Sequence, residues 1–157
     1  MPTRETFHSM RAGPEATRAC AQALAVGQLV VAATETVYGV FGRDRSSLAG
    51  LVGEDAAAGA AVHAVDVDGA LRALGGLHPW QARMLRRVLP GALTVVSGDR
   101  AVRVPDHAGC RALLNAAADI GIDGVLGAAL PIAQPRSLDG MTDADRSRLT
   151  DGGVTVA

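Results

Sequence analysis

The segment 34–39 (TETVYG) follows a short apolar run and carries hydroxyl groups suited to binding an anion. If the segment is extended, Thr34 and Thr36 project from the same side and Glu35 from the other, because side chains alternate along a strand. Two hydroxyls on one side can donate hydrogen bonds to a carboxylate or a phosphate. The same threonines are equally suited to capping the turn before Gly39, so the residues alone leave both interpretations open.

Arg103 is a second candidate for an anion site. It alternates with Val102 and Val104, whose β-branched side chains favour a buried strand face, so its guanidinium is expected on the opposite face. A single arginine in that position is usually solvated, and anion binding is the less common outcome. His107 is expected to cap a helix or lie on the surface, and no serine accompanies Asp106 to form a catalytic triad.

The spacing of His63, Asp66 and Asp68 loosely resembles a metal-binding pattern. A partly exposed strand explains these residues better, so we predict no metal site here.

The composition restricts the chemistry further. The chain has 157 residues with a formal net charge of −1, and its 15 basic residues are all arginine. Without lysine the chain has no Walker A loop and no Schiff base. With only four aromatic residues, a sheet that stacks RNA bases is not expected. Any phosphate site would be built from arginine, backbone amides and hydroxyls.

The cysteines and the apolar runs indicate a cytoplasmic protein. Cys20 and Cys110 have no disulfide-type spacing, and each lies on the apolar face of a predicted helix, so we expect buried free thiols. Arginines before the apolar run 20–33 resemble a signal peptide, but acidic residues and Gly27 interrupt that pattern. No stretch approaches the roughly 20 apolar residues of a membrane span, so no membrane association is expected.

Hydrophobic periodicity predicts helices that alternate with strands. We predict helices over 14–26, 79–89, 107–118 and 142–149, and strands over 28–33, 92–96, 101–104 and 154–156. Residues 97–100 read as a four-residue hairpin turn. Apolar residues of the second helix share one predicted inward face: Trp80, Met84, Leu85, Val88 and Leu89. This order predicts a single α/β domain over 1–157 with a mixed sheet.

Charge is segregated along the chain. Residues 71–111 hold seven arginines and two aspartates, which makes this segment the candidate basic face. A solvated surface is the commoner explanation of such a run, and an RNA-facing patch is the alternative.

Three ordered blocks resemble the YrdC-like family, which includes the threonylcarbamoyl-AMP synthases. Residues 27–40 (GQLVVAATETVYGV) are similar to its signature strand and loop, a glycine and an apolar strand followed by P-T-[ED]-T-x-Y-G-L. Residues 89–96 (LPGALTVV) are similar to its P-G-P-x-T strand, and 101–107 (AVRVPDH) to its R-x-P-x-H block. The resemblance is strongest over 14–115.

The resemblance implies a twisted mixed sheet, parallel and antiparallel, flanked by helices, with a concave cavity in a fold first described as binding double-stranded RNA. Members condense L-threonine, bicarbonate and ATP into threonylcarbamoyl-AMP for tRNA modification. It also implies a role for each matching residue. Residues implied to line the threonine and nucleotide cavity are Thr34, Thr36, Tyr38, Thr94 and Arg103.

Two further family motifs are missing. The stretch 48–61 (LAGLVGEDAAAGAA) holds no cation where the family has K-x-R, and Glu54 and Asp55 lie near the expected pair. The S-x-N motif is replaced within 130–135 (LPIAQP). Three arginines are possible substitutes for the lost cations: Arg43, Arg45 and Arg136.

The sequence thus favours a divergent YrdC-like protein that binds a nucleotide, a small anion or RNA, with ordinary L-threonylcarbamoyladenylate synthesis lost. One alternative is an active synthase, a nucleotidyltransferase that uses the substitute arginines and requires ATP with Mg²⁺. The other is a regulatory module that binds tRNA-modification proteins.

Overall fold

The computed structural model describes residues 13–35, 38–129 and 154–156. Six helices are present within these ranges: α1 Pro14–Ala25, α2 Arg45–Val52, α3 Glu54–Ala58, α4 Val67–Leu74, α5 Pro79–Val88 and α6 Ala108–Asp119. The strands within the same ranges are β1 Leu29–Ala33, β2 Tyr38–Gly42, β3 Ala61–His63, β4 Thr94–Ser97, β5 Arg100–Arg103, β6 Val125–Ala129 and β7 Val154–Val156. They form one seven-stranded sheet in the order β4-β5-β3-β6-β2-β1-β7.

The sheet mixes parallel and antiparallel pairs, as the sequence predicts. Strand β1 pairs antiparallel with β2 and parallel with β7, and β3 pairs parallel with β5 and antiparallel with β6. Strands β2 and β6 are antiparallel, as are β4 and β5. The predicted α/β class and mixed sheet are confirmed.

The predicted helix over 14–26 and the predicted strand over 28–33 are confirmed as α1 and β1. Pro14 lies in the first turn of α1, where its missing N–H costs no hydrogen bond, and Gly27 follows the helix with a φ of 83°. Four of the five β1 residues are buried, in agreement with the predicted buried strand.

The β4–β5 hairpin is tighter than predicted. Ser97 pairs with Arg100, so only Gly98 and Asp99 form the turn. Gly98 has a φ of 61°, which is the conformation that a two-residue hairpin turn requires at its first central position. The expected four-residue turn is therefore wrong at both ends.

Helices cover both faces of the sheet. On one face, α1 and α6 pack on β1 and β2, and this cluster includes Leu24, Val30, Phe41 and Leu114. Both cysteines are free and buried in the same cluster, as predicted. On the other face α2 packs beside β1 and β2, while α4 and α5 pack beside β5.

Helix α5 lies where it was predicted, but its inward face is narrower. Leu85 and the following Leu89 are buried, at 4% and 5% exposure. Trp80, Met84 and Val88 recur every four residues on a separate stripe and are about half exposed, at 55%, 50% and 45%. The predicted inward face is wrong for these three residues, because the sheet covers only the Leu85 stripe.

Strand 154–156 is confirmed as β7, while the predicted helix over 142–149 lies outside the described residues. Within the described ranges, no helix is long and apolar enough to cross a membrane.

Candidate functional site

A cavity of about 300 Å³ opens at the sheet, between the strands and the α3 segment. Three strand residues at its wall are brought together by register: Arg103 on β5 pairs with Thr94 on β4 and with His63 on β3. Gly39 on β2 and Gly127 on β6 also line the cavity, and Thr34 reaches it from the segment after β1.

Arg103 forms an ion pair at this cavity. Its Nη2 lies 3.3 Å from Oε1 of Glu35, and the two side chains are only 20% and 16% exposed. The second carboxylate oxygen of Glu35, Oε2, is buried and accepts no hydrogen bond from the described residues. The expectation of a solvated arginine is wrong, because β5 lies inside the sheet and turns this side chain into the cavity.

Glu35 is a site residue that the sequence analysis placed on the wrong side. Strict alternation would separate Glu35 from Thr34, but β1 ends at Ala33 and the next two residues are not in the strand. The chain turns there, so Thr34 lines the cavity while Glu35 contacts Arg103. A largely buried arginine needs a carboxylate partner, but the burial of Arg103 could not be read from the sequence, so no sequence signal pointed to Glu35.

The structure brings together three of the five predicted lining residues: Thr34, Thr94 and Arg103. Thr36 lies outside the described residues. Tyr38 is placed differently: it packs with Val40 in the apolar cluster near α2, because it alternates with Gly39 along β2. Its side chain therefore lies on the face opposite Gly39.

His63 is the buried polar residue of this wall, at 6% exposure, so the expected partly exposed strand is wrong here. Its Nδ1 lies 3.0 Å from the carbonyl oxygen of Ala61, and its ring meets Phe41 edge-to-face with centroids 5.0 Å apart. Burial lowers the pKa of His63 to about 4, and the nearby Arg103 charge acts in the same direction. The imidazole is therefore neutral at neutral pH.

Two glycines make room for these rings. A Cβ on Gly127 would lie 2.6 Å from His63 Cε1 and 2.8 Å from Phe41 Cε1. A Cβ on Gly39 would lie 2.9 Å from two atoms of the Phe41 ring. The small residues of β2 and β6 thus allow an imidazole and a phenyl ring to pack directly on the sheet beside the cavity.

The neighbours of His63 in the sequence do not join it in a metal site. Asp66 accepts a hydrogen bond from Gly69 N at the start of α4, and Asp68 forms an exposed ion pair with Arg86. Among the described residues no group of three or more His, Cys, Asp or Glu could hold a metal ion.

The candidate substitute arginines are bound elsewhere. Arg43 Nη1 donates to the carbonyl of Ala25 at 3.3 Å. Arg45 Nη1 lies 2.9 Å from each of the carbonyl oxygens of Ala57 and Ala58, at the end of α3. Neither arginine lines the cavity with Arg103, and Arg136 lies outside the described residues.

The wall formed by α3 has no cation. Ala56 and Gly59 line the cavity, and Glu54 and Asp55 are exposed in the turn immediately before Ala56. Arg45 supports this wall from outside, through the carbonyls at its end. Among the described lining residues Arg103 is the one that carries a positive charge.

The predicted basic segment 71–111 is partly neutralised within the chain. Arg86 pairs with Asp68 at 2.6 Å, and Arg103 pairs with Glu35. Arg100 donates to two carbonyls at the end of α4, and Arg111 lies 4.0 Å from Asp106. Arg72, Arg83 and Arg87 are exposed and form no ion pair with a described residue, so an RNA-facing patch on this segment stays a prediction.

The fold has known counterparts among solved structures. P. abyssi Sua5, as a double-alanine variant and as a complex with L-threonine, matches with TM-scores of 0.71 and 0.70 at 21% identity. These matches cover 93% and 94% of this chain, which spans about half of Sua5 (49% and 48%). E. coli YciO matches with a TM-score of 0.71 at 13% identity, over 96% of this chain and 80% of that one.

Neither the protein-family models nor the curated proteins contain a match to this sequence. The likeness lies in the three-dimensional structure, where it extends over more than nine-tenths of the chain. The resemblance of the three sequence blocks and the structural matches agree, and this chain has the YrdC-like fold.

Proposed function

We propose that this chain is a divergent YrdC-like protein whose cavity binds a small carboxylate at Arg103, and that ordinary L-threonylcarbamoyladenylate synthesis is lost. The observation that carries the proposal is the Arg103 guanidinium, which is only 20% exposed and is the one cation among the described residues that line a cavity of about 300 Å³. That volume is at the lower end of the range for ligand pockets, which suits a molecule of amino-acid size.

The chemistry of the wall supports a carboxylate. A guanidinium presents parallel N–H donors that match a carboxylate, and low exposure strengthens their attraction for a negative charge. The hydroxyl-bearing residues Thr34 and Thr94 line the same cavity. The P. abyssi Sua5 structure with L-threonine supports the choice of L-threonine as the first probe.

The wall formed by α3 supports the loss of synthesis. A triphosphate needs several cationic contacts, and two missing ones cost roughly 3–6 kcal/mol, or on the order of 10²- to 10⁴-fold in binding. Here that wall presents Ala56 and Gly59 behind Glu54 and Asp55, and the substitute arginines at 43 and 45 bind backbone carbonyls instead.

The decisive experiment measures binding and turnover on the same protein. We expect L-threonine to bind in an isothermal titration, and pyrophosphate release from ATP with Mg²⁺, L-threonine and bicarbonate to stay at the level of a protein-free control. Robust threonine-dependent release would instead establish the active synthase. Absence of L-threonine binding would count against a carboxylate site.

Arg103→Ala tests the residue directly. Loss of a hydrogen bond to a charged group corresponds to about 10- to 100-fold weaker L-threonine binding. Since the change leaves the Glu35 carboxylate buried without its cation, the double variant Arg103→Ala/Glu35→Gln separates ligand binding from stability. Arg87→Ala, an exposed arginine on α5, is the matched control and should bind like the unmodified chain.

A further inference from the structure

We propose that the outward side of α5 is a docking surface for an acidic amphipathic helix of another protein. The surface consists of an apolar stripe, Trp80, Met84 and Val88, and of a basic ridge beside it, Arg83 and Arg87. None of these residues lines the cavity at the sheet, so the inference goes beyond the proposed function and does not depend on it.

The apolar stripe is the first observation. Seven large apolar side chains are exposed among the described residues, and three of them recur every four residues on α5. Residues four apart on a helix are neighbours on its surface, so these three form one stripe about 12 Å long. Two of the others, Val26 and Ile120, lie elsewhere, at the C-terminal ends of α1 and α6. The stripe on α5 is therefore a regular apolar surface of one helix.

The core of the domain does not use this stripe. Helix α5 is held on the domain by Leu85 and the following Leu89, which are buried in the cluster with α4 and β5. The stripe points away from that cluster and leaves apolar area in water, where only a covering partner makes it favourable. Aromatic residues, methionine and arginine are the side chains enriched at protein interfaces, and all three types occur here.

The basic ridge determines the charge of the partner. Arg83 and Arg87 each follow a stripe residue by three positions, so both lie directly beside the stripe. Both are exposed and form no ion pair with a described residue, whereas Arg86 pairs with an aspartate of α4 at 2.6 Å. A partner that covers the stripe therefore meets two positive charges, and carboxylates beside its own apolar residues complement them.

Other occupants suit this surface less well. Two copies of this chain that met along α5 would bring together two helices that each carry three arginines and no acidic residue, and like charges at an interface are unfavourable. An RNA strand would find one aromatic ring to stack on, while Met84 and Val88 offer nothing to a phosphate. A membrane surface is bound in proportion to the apolar area buried, and three side chains provide little. The observations favour an acidic protein segment.

The shape of the surface favours a helix as that segment. A straight ridge of side chains at four-residue spacing packs into the groove between the corresponding ridges of a second helix. The stripe extends over roughly two helical turns. A partner helix with apolar residues at positions i, i+4 and i+7, and with glutamates or aspartates along one flank, covers both the stripe and the ridge.

Trp80 supplies the readout, because it is the single tryptophan of the chain and burial shifts its fluorescence emission to shorter wavelengths. The probe is a tryptophan-free peptide of about 20 residues, long enough to form a helix, with a leucine stripe and glutamates along one flank. A second peptide carries lysines in place of the glutamates. We expect the glutamate peptide to shift the emission and to bind at least about fivefold more tightly than the lysine peptide, with a difference that shrinks as salt is raised. Equal binding of the two peptides overturns the proposal.

Variants at exposed positions assign the binding to α5. Arg83→Glu/Arg87→Glu reverses the charge of the ridge and should invert the order of the two peptides, whereas Arg18→Glu, at an exposed arginine of α1, should preserve it. Met84→Ser removes the centre of the stripe and should weaken binding of the glutamate peptide about tenfold, whereas Ile120→Ser should not. A Met84→Ser protein that binds as tightly as the unmodified chain, or a double variant that still prefers the glutamate peptide, overturns the proposal.

The same emission measurement identifies the other occupants. A shift that appears when the protein alone is concentrated assigns the stripe to a second copy of the chain. A shift with phosphatidylserine vesicles or with duplex RNA, but none with the glutamate peptide, assigns it to a membrane or to a nucleic acid. Each of these outcomes overturns the proposal, as does an emission that none of the probes moves.

Discussion

The two walls of the cavity differ in the side chains that they present, since one is charged and polar and the other is small and apolar. The strand wall places Arg103, His63 and Thr94 side by side through β-sheet register, and adds Glu35 from the segment after β1. The wall formed by α3 presents Ala56 and Gly59, with two exposed acidic residues before them. One wall therefore carries charged and hydroxyl-bearing side chains, while the described residues of the other carry no cation.

The difference teaches that a fold and its site are separable. The sheet and the strand wall are positioned by the core, because their residues alternate with buried ones such as Val102 and Val104. The α3 segment contributes little beyond Ala57 to that core, so its exposed positions are free to vary without unfolding the domain.

The largest effect expected within the strand wall is a pH dependence of stability. The pKa of His63 is lowered from 6.5 to about 4 in the folded state, so the unfolded chain binds this proton first as pH falls. The neutral His63 therefore contributes its full share of the unfolding free energy above pH 6.5. This share is lost as the pH falls from 6.5 to about 4, and the unfolding free energy changes no further from this group below pH 4. The full loss corresponds to about 3 kcal/mol.

Urea unfolding between pH 4 and 7.5 measures this loss. His63→Gln should flatten the part of the curve between pH 4 and 6.5, whereas His78→Gln, which replaces an exposed histidine at the start of α5, should leave it intact. If both variants show the same pH dependence as the unmodified chain, the pKa of His63 is not lowered in the folded state, and water reaches its ring.

The second effect concerns the glycine that admits His63 to the wall. Gly127→Ala places a Cβ 2.6 Å from the imidazole, so the ring or β6 must shift, and overpacking of this kind costs about 1–3 kcal/mol. Unfolding in urea should show this loss, together with weaker L-threonine binding, since the displaced ring belongs to the cavity wall.

Gly50→Ala is the matched control. Gly50 is exposed within α2, and an added Cβ meets no atom within 4 Å. Because alanine is the better helix former by roughly 1 kcal/mol, this variant should be as stable as the original or more so. Equal destabilisation by both substitutions would show that the close contact at Gly127 relaxes without cost.

The sequence predicts an element well when local residue patterns determine it, and poorly when it depends on contacts between residues that are far apart in the chain. Helices α1, α5 and α6 follow from apolar residues at helical spacing, and strands β1, β4 and β5 follow from short runs rich in apolar and β-branched residues. Strand β3 is only three residues long and helix α3 only five. Neither is long enough to show a repeating pattern of apolar residues in the sequence. Their existence depends on the sheet around them.

The site shows the same limit. Thr34, Thr94 and Arg103, which the motif resemblance assigned to one cavity, line a common cavity in the structure. Side-chain alternation misplaced Glu35, and local spacing misjudged the burial of His63, because their positions depend on a contact across 68 residues and on the β3–β5 pair. The side chain of Tyr38 lies on the face of the sheet opposite the cavity. Gly39 and Phe41 share the cavity side of β2, and Tyr38 alternates with them.

A smaller effect is expected where Arg45 supports the α3 wall. Arg45→Ala removes hydrogen bonds to the carbonyls of Ala57 and Ala58, so we expect a loss of about 1 kcal/mol in unfolding free energy. L-Threonine binding should remain within about twofold, since Arg45 does not line the cavity. If Arg45→Ala weakened L-threonine binding as strongly as Arg103→Ala does, Arg45 would belong to the binding site and could replace one of the lost cations.

The smallest effect tests the acidic residues directly. Glu54 and Asp55 precede Ala56 at the cavity, so their charges repel a polyanion there, by on the order of 0.5 kcal/mol each in a solvated setting. The double variant Glu54→Gln/Asp55→Asn should therefore bind pyrophosphate a few-fold more tightly at low salt, with the gain disappearing as salt is raised. L-Threonine binding should change less, because its charges are balanced. An unchanged pyrophosphate affinity would mean that the α3 wall excludes polyphosphates by lacking cations, and that its carboxylates contribute nothing.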